Sequence, residues 1–255
     1  MIDVQHAGAI ATVTLSRPPV NAISRDFVTA FGRALDDIER AAPTVVVIRS
    51  NQSCFCAGAD LDLIRSFFGS AGGTQAMLAY VKTLHALFNR IEALQAVTLA
   101  GIGGPALGGG LELALSCDLR VATEAAKLGL PEARVGMIPG AGGTQRLTRL
   151  CGPGVSSRLI LGGEIVDGIE AERLGIVQWV TPEAEFDTAI NAIAQRIAGL
   201  SRQALVASKD CIFAYLDPDA DGFARELEVP RLLMETDEAR QRVERFFAPN
   251  RLDAD

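Results

Sequence analysis

Two acidic residues, Glu112 and Glu132, stand in the stretch of this chain most suited to chemistry, Val97 to Leu147. The stretch begins V-T-L-A-G-I-G-G-P-A-L-G-G-G-L-E-L-A-L-S-C-D, passes through an irregular segment to L-P-E, and ends at I-P-G-A-G-G-T-Q-R-L. An apolar run that gives way to Gly108-Gly109-Gly110 and then to a helical pattern predicts a buried strand followed by an exposed helix N-terminus. The first N–H groups of a helix have no partner of their own, and so suit an anion that develops during a reaction. Glu112 lies at the mouth of that helix, and Glu132 follows Pro131 on the next irregular segment. Taken alone, the glycines could simply allow close helix–strand packing, with Glu112 favourably placed in the first turn.

Other patterns raise or exclude specific chemistries. Cys56-Ala57-Gly58-Ala59-Asp60-Leu61 repeats the strand-to-helix turn and offers a second exposed backbone. Gly101 to Ala106 matches G-x-G-x-x-A, the nicotinamide-binding turn, but it lies past residue 100, outside the first βαβ unit, and contains a proline. No Walker lysine follows the glycines and no G-x-S-x-G elbow is present. The two histidines, His6 and His85, are expected to be structural, which disfavours a histidine-dependent triad. The five cysteines include Cys54-Phe-Cys56, which lacks C-x-x-C spacing and a nearby histidine, so reduced thiols are expected and no metal site.

The elements that must position these residues alternate in type. Residues 2–6 and 9–15 read as a hairpin about Ala7-Gly8. Two prolines make Ser16-Arg-Pro-Pro-Val-Asn-Ala irregular, after which Ser24 should cap a helix carrying Phe27, Phe31, Ala34, Leu35 and Ile38, ended by Pro43. Thr44 to Ile48 reads as a strand covered on both faces, Gly69 to Gly73 as a surface loop, and Gln75 to Leu94 as a long amphipathic helix. Val97 to Ile102 and Leu119 to Ala122 are further strands. The order predicts an α/β fold with largely parallel pairing. Beyond Gln145 the chain reads as helices at 153–161, 167–174, 182–200, 201–214, 223–235 and 237–247, with one strand at 176–180.

At 255 residues the chain can bury a large core without disulfides. Its formal charge of −7 argues against nucleic acid or an anionic membrane as a partner. Ala93 to Leu111 holds no charge, but six glycines and Pro105 make a membrane helix unfavourable there. The N-terminal M-I-D-V-Q-H-A has no basic and apolar leader regions, so a cytoplasmic location is expected.

Three blocks, C-A-G-A-D-L, A-L-G-G-G-L-E-L-A-L-S-C-D and L-P-E-A-R-V-G-M-I-P-G-A-G-G-T-Q-R-L, together resemble the signatures of the crotonase (enoyl-CoA hydratase/isomerase) superfamily. The resemblance implies a spiral of ββα units over residues 1–195 and a helical region, 196–255, that forms a trimer or a dimer of trimers. It implies an acyl-CoA thioester as substrate and no cofactor beyond it. It also assigns Ala59 and Gly109 N–H groups to an oxyanion hole, Glu112 and Glu132 to catalysis, and Gly140 to holding water. Ala22, Ala57, Asp60, Leu61 and Pro131 would contact the CoA ester, and Arg17 or Arg25 would be candidates for its phosphates.

The chemistry fits those residue types. Water adds to a C2–C3 double bond only when the thioester oxygen draws electron density, and each donor to that oxygen is typically worth about 3 kcal/mol. Glu112 would activate water as base and Glu132 would deliver a proton to C2; two carboxyls in a dry pocket resist joint ionisation. The closest rival of the same fold is an isomerase using Glu132 alone. A nicotinamide-dependent dehydrogenase and a catalytically silent scaffold are the rivals of other classes.

Overall fold

The computed structural model describes residues 1–217 and 219–247. Strands β1 (Ile2–Ala7) and β2 (Ile10–Leu15) form the expected antiparallel hairpin. Along β2 the alternate residues Ala11, Val13 and Leu15 are fully buried, as the two-residue period of a half-covered strand requires. The same core takes in helix α1 (Arg25–Ala41), which buries Phe27, Phe31, Ala34, Leu35 and Ile38. The Ser24 hydroxyl accepts the Phe27 N–H and caps it. Each buried phenyl contributes about 1.5–3 kcal/mol by leaving water.

Strand β3 (Val45–Ser50) is followed by α2 (Leu61–Phe67) and α3 (Gly73–Glu92), then β4 (Val97–Ile102) and the two-residue β5 (Ala106–Leu107). Helix α4 (Gly109–Leu115) leads to β6 (Leu119–Thr123) and β7 (Lys127–Gly129). A 3-10 turn (Glu132–Val135) precedes α5 (Gly143–Ile160), β8 (Ile165–Asp167), α6 (Gly168–Arg173) and β9 (Trp179–Thr181). The main sheet runs β1-β2-β3-β4-β6-β9, parallel except for the opening hairpin. β5, β7 and β8 form a second, three-stranded sheet.

That second sheet is absent from the sequence expectation. Its strands are two or three residues long, too short to show a period. The strand expected at 176–180 is shifted to Trp179–Thr181: the Ile176 and Gln178 amides instead reach back to Ala171 and Arg120 carbonyls. The late helix starts earlier than expected, at Gly143, and kinks at Gly152, just before Pro153. The long helix likewise begins at Gly73 rather than Gln75.

Residues 1–197 form one compact unit and, among the described residues, 198–217 and 219–247 a second. All but the last residue of helix α7 (Phe186–Ala198) belong to the first. The second contains α8 (Arg202–Ala214), α9 (Gly222–Met234) and α10 (Asp237–Phe247). No helix among the described residues is long and apolar enough to cross a membrane.

Candidate active site

Asn21 shows how the sequence builds the first wall. It is fully buried in a left-handed conformation (φ 53°), which asparagine tolerates better than most residues. Its amide nitrogen donates to the Ser50 hydroxyl and to the Cys54 and Phe55 carbonyls, while Oδ1 accepts the Arg17 N–H. The irregular proline segment is thereby tied to the loop after β3. Nearby, the Ile23 amide donates to Gly58 and the Ile23 carbonyl accepts from Asp60, so residue 23 brackets Ala59. The buried Tyr80 hydroxyl donates to that same Ile23 carbonyl at 2.7 Å.

The two glycine-bearing turns then meet backbone to backbone. Cys56 and Ala106 pair as a parallel bridge, with Cys56 N donating to Pro105 and Leu107 N to Cys56. A Cβ at Gly110 would run into the Cys56 carbonyl, and one at Gly58 would lie 2.8 Å from the Leu107 carbonyl oxygen. Only glycine permits this approach. Ala59 N lies 3.5 Å from where a Gly109 Cβ would be, so the two amides sit on either side of one seam. Among the described residues neither amide donates to a protein acceptor, as expected for Gly109 in the first turn of α4.

Glu112 is 3% exposed, and its Oε1 accepts the Ala141 and Gly143 N–H groups, each at 2.7 Å. Burial pushes its pKa up to about 7; the Gly143 and Ala141 amides and the Arg146 charge oppose the rise, and the Glu132 charge adds to it. Glu132 opens the 3-10 turn. Its pKa is raised by burial, and its Oε2 is buried with no partner among the described residues. A Cβ at Gly108 would lie 2.8 Å from Glu132 Oε1, so that glycine makes room for the second acid.

Glu112 and Glu132 line one cavity of about 290 Å³ together with Ala57, Ala59, Leu61, Gly109, Pro131 and Gly140. Met77, Tyr80, Val81 and Leu84 of α3 form an apolar wall. Ala22 and Asp60 are not among the lining residues. The Ala22 carbonyl accepts from Arg17, while Asp60 caps α2 and pairs with Arg17 at 2.8 Å. Burial tends to raise the Asp60 pKa, but the Arg17 hydrogen bond and the α2 amides bring it below the ordinary value. Arg17 is thus committed to protein partners, and the Arg25 guanidinium lies 5.7 Å from the Phe67 ring centroid. The G-x-G-x-x-A run ends in strand β5 rather than opening a helix, which removes the geometry a nicotinamide pyrophosphate would need.

Several residues that shape this site carry no obvious sequence signal. Tyr80 reads as one more member of an apolar helical stripe. Ala141 and Gly143 matter through their amides, and Arg146 is an arginine on a buried helix face; a charged residue in an otherwise apolar, glycine-rich block is the one clue available for it.

The enoyl-CoA hydratase/isomerase family model matches residues 5–247, and the chain belongs to that family, the crotonases. A probable mitochondrial enoyl-CoA hydratase 2 of Arabidopsis thaliana is 44% identical over 191 residues, covering 74% of this chain and 62% of that protein. An enoyl-CoA isomerase/hydratase of Mycosarcoma maydis is 34% identical over 246 residues, 92% of this chain and 88% of the other. The crystal structure of an enoyl-CoA hydratase from Bacillus anthracis superposes with a TM-score of 0.89 at 31% identity, covering 96% of this chain and 95% of its own. The fold is therefore the crotonase fold expected from the signature blocks. Enzymes of this family act on acyl-CoA thioesters.

Proposed function

We propose that the protein is an enoyl-CoA hydratase, adding water to a 2-trans-enoyl-CoA to give a 3-hydroxyacyl-CoA. The observation that carries this is Glu112: a buried carboxylate, gripped through one oxygen by two loop amides, in the same cavity as Glu132. The thioester oxygen sits between the Ala59 and Gly109 N–H groups, which gain strength as charge accumulates on it. Glu112 takes a proton from water as the oxygen bonds to C3, and Glu132, whose pKa burial raises, gives one to C2. The proton then returns from Glu112 to Glu132 before the next turnover. Gly140 borders the water's position, while Ala57, Leu61 and Pro131 contact the CoA ester. Ala22 and Asp60 act from behind, by fixing that wall through Arg17.

A second reading has support in Glu132 and in the relative named isomerase/hydratase: one half-buried acid is enough to shuttle a proton along an enoyl chain. Glu112 favours hydration, because an isomerase has no water to activate. Incubation with crotonyl-CoA tests the choice. Loss of the conjugated absorbance with formation of 3-hydroxybutyryl-CoA supports hydration; turnover of a 3-enoyl-CoA to its conjugated isomer with no hydration overturns it.

The helical unit from residue 198 exposes Phe223, Leu227, Met234 and Phe246, each at least 79% exposed, and forms subunit contacts in a trimer or a dimer of trimers. Light scattering after size exclusion measures that mass directly. The enzyme works without a metal or redox cofactor and resides in the cytoplasm; undiminished turnover after chelation and cell fractionation test these two statements.

A further inference from the structure

Arg146 is 7% exposed, yet its guanidinium is only partly satisfied. Nη1 donates to the Ala141 carbonyl at 3.1 Å, and Nη2 donates to Asn89 Oδ1 at 2.6 Å and Glu92 Oε2 at 3.0 Å. Nε is buried with no partner among the described residues. The backbone makes room for this side chain: a Cβ at Gly142 would strike Nη1, and Gly142 adopts φ +104°. Incompletely paired charge is a poor way to fill a core, since an apolar residue of similar volume would cost less. The carbonyl that Arg146 holds lies between the two amides, of Ala141 and Gly143, that grip Glu112 Oε1.

We propose that Arg146 is a positioning residue for Glu112: it locks the Ala141 carbonyl so that both flanking amides meet Oε1, and it stations a positive charge behind that carboxylate. The inference rests on reading Glu112 as the group that activates water. The Asn89–Glu92 pair on α3 anchors the guanidinium, so Arg146 links α3 to the loop that carries the amides. The charged or titratable groups facing Glu112 are Glu132 from the 3-10 turn, Arg146 from α5 and Tyr80 from α3, whose pKa burial raises. Glu92 is the acid that faces Arg146 itself.

The test compares Arg146→Met, Arg146→Lys and Glu92→Gln in the full chain, with kcat per folded enzyme, KM and the pH profile of kcat. Arg146→Met should lower kcat by about 10-fold or more with KM within about 3-fold, because an interaction with the reacting group is lost rather than binding. Its acid limb should move up by about one pH unit, since a nearby positive charge has gone. Glu92→Gln should move the limb the opposite way, by freeing that charge. Arg146→Lys should restore the limb but only part of the rate. Loss of packing alone cannot give shifts of opposite sign. An unmoved limb in both Arg146→Met and Glu92→Gln, or unchanged kcat per folded molecule, overturns the proposal. Should Arg146→Met not fold, Glu92→Gln decides by the limb alone, and an unmoved limb there overturns the proposal. A carbon-13 titration of the Glu112 carboxyl, assigned with Glu112→Gln, reads the same shifts without turnover. An inactive wild type would therefore count against the hydratase reading and leave this inference separately testable.

Discussion

Glu112 Oε1 lies 2.7 Å from Gly143 N, and a Cβ at position 143 would lie 2.9 Å from that same oxygen. The amide that grips the carboxylate therefore belongs to a residue that cannot carry a side chain without displacing it. The Pro139 ring, 2.8 Å from the same point, blocks any retreat. Gly143→Ala should cost roughly 1–3 kcal/mol of stability through overpacking. It should also lower kcat by about 100-fold, the usual share of a well-placed base. Urea unfolding and steady-state hydration kinetics measure the two effects; normal turnover would break the link between this contact and catalysis.

A raised carboxyl pKa makes stability depend on pH in a defined direction. Glu112 goes from an ordinary 4.5 to about 7 on folding. Below pH 4.5 it is protonated in both states and costs nothing. Between those values the folded state alone keeps the proton, so stability falls as pH rises, by on the order of 3 kcal/mol once pH exceeds 7. Glu112→Gln should thus melt higher than wild type at pH 8 and alongside it at pH 4, while losing hydration at both. In wild type the rate should rise with an apparent pKa near 7, belonging to the Glu112–Glu132 pair.

Gly108 adopts φ +53° and leaves space for Glu132. Gly108→Ala combines backbone strain of about 1–3 kcal/mol with displacement of that acid. Its kcat should fall along with its melting temperature. Gly32, inside α1 with open space around it, is the contrasting case: Gly32→Ala should stabilise by about 0.5–1 kcal/mol through helix propensity and leave kinetics unchanged.

Tyr80→Phe removes the hydroxyl that holds the Ile23 carbonyl. The Asp60 amide still satisfies that carbonyl, so the stability loss should be about 1 kcal/mol. A larger relative fall in kcat than in stability would mark the hydroxyl as a support for the Ala59 amide; equal, small changes would mark it as packing alone.

The sequence by itself determined the alternation of strands and helices, the two glycine turns, the capped α1 and the position of two acids, Glu112 and Glu132, next to glycine-rich turns, because these depend on local periodicity, backbone freedom and residue type. Only the tertiary structure decided which amides Glu112 would meet, since Ala141 and Gly143 are close to it through chain closure over about 30 positions and amides carry no residue-type signal. It likewise decided that Arg17 would serve Asp60 rather than remain open to a phosphate, and that two- and three-residue strands would join into a second sheet. Pairings of this kind are favourable only once distant segments are already held together, so no stretch read alone contains them.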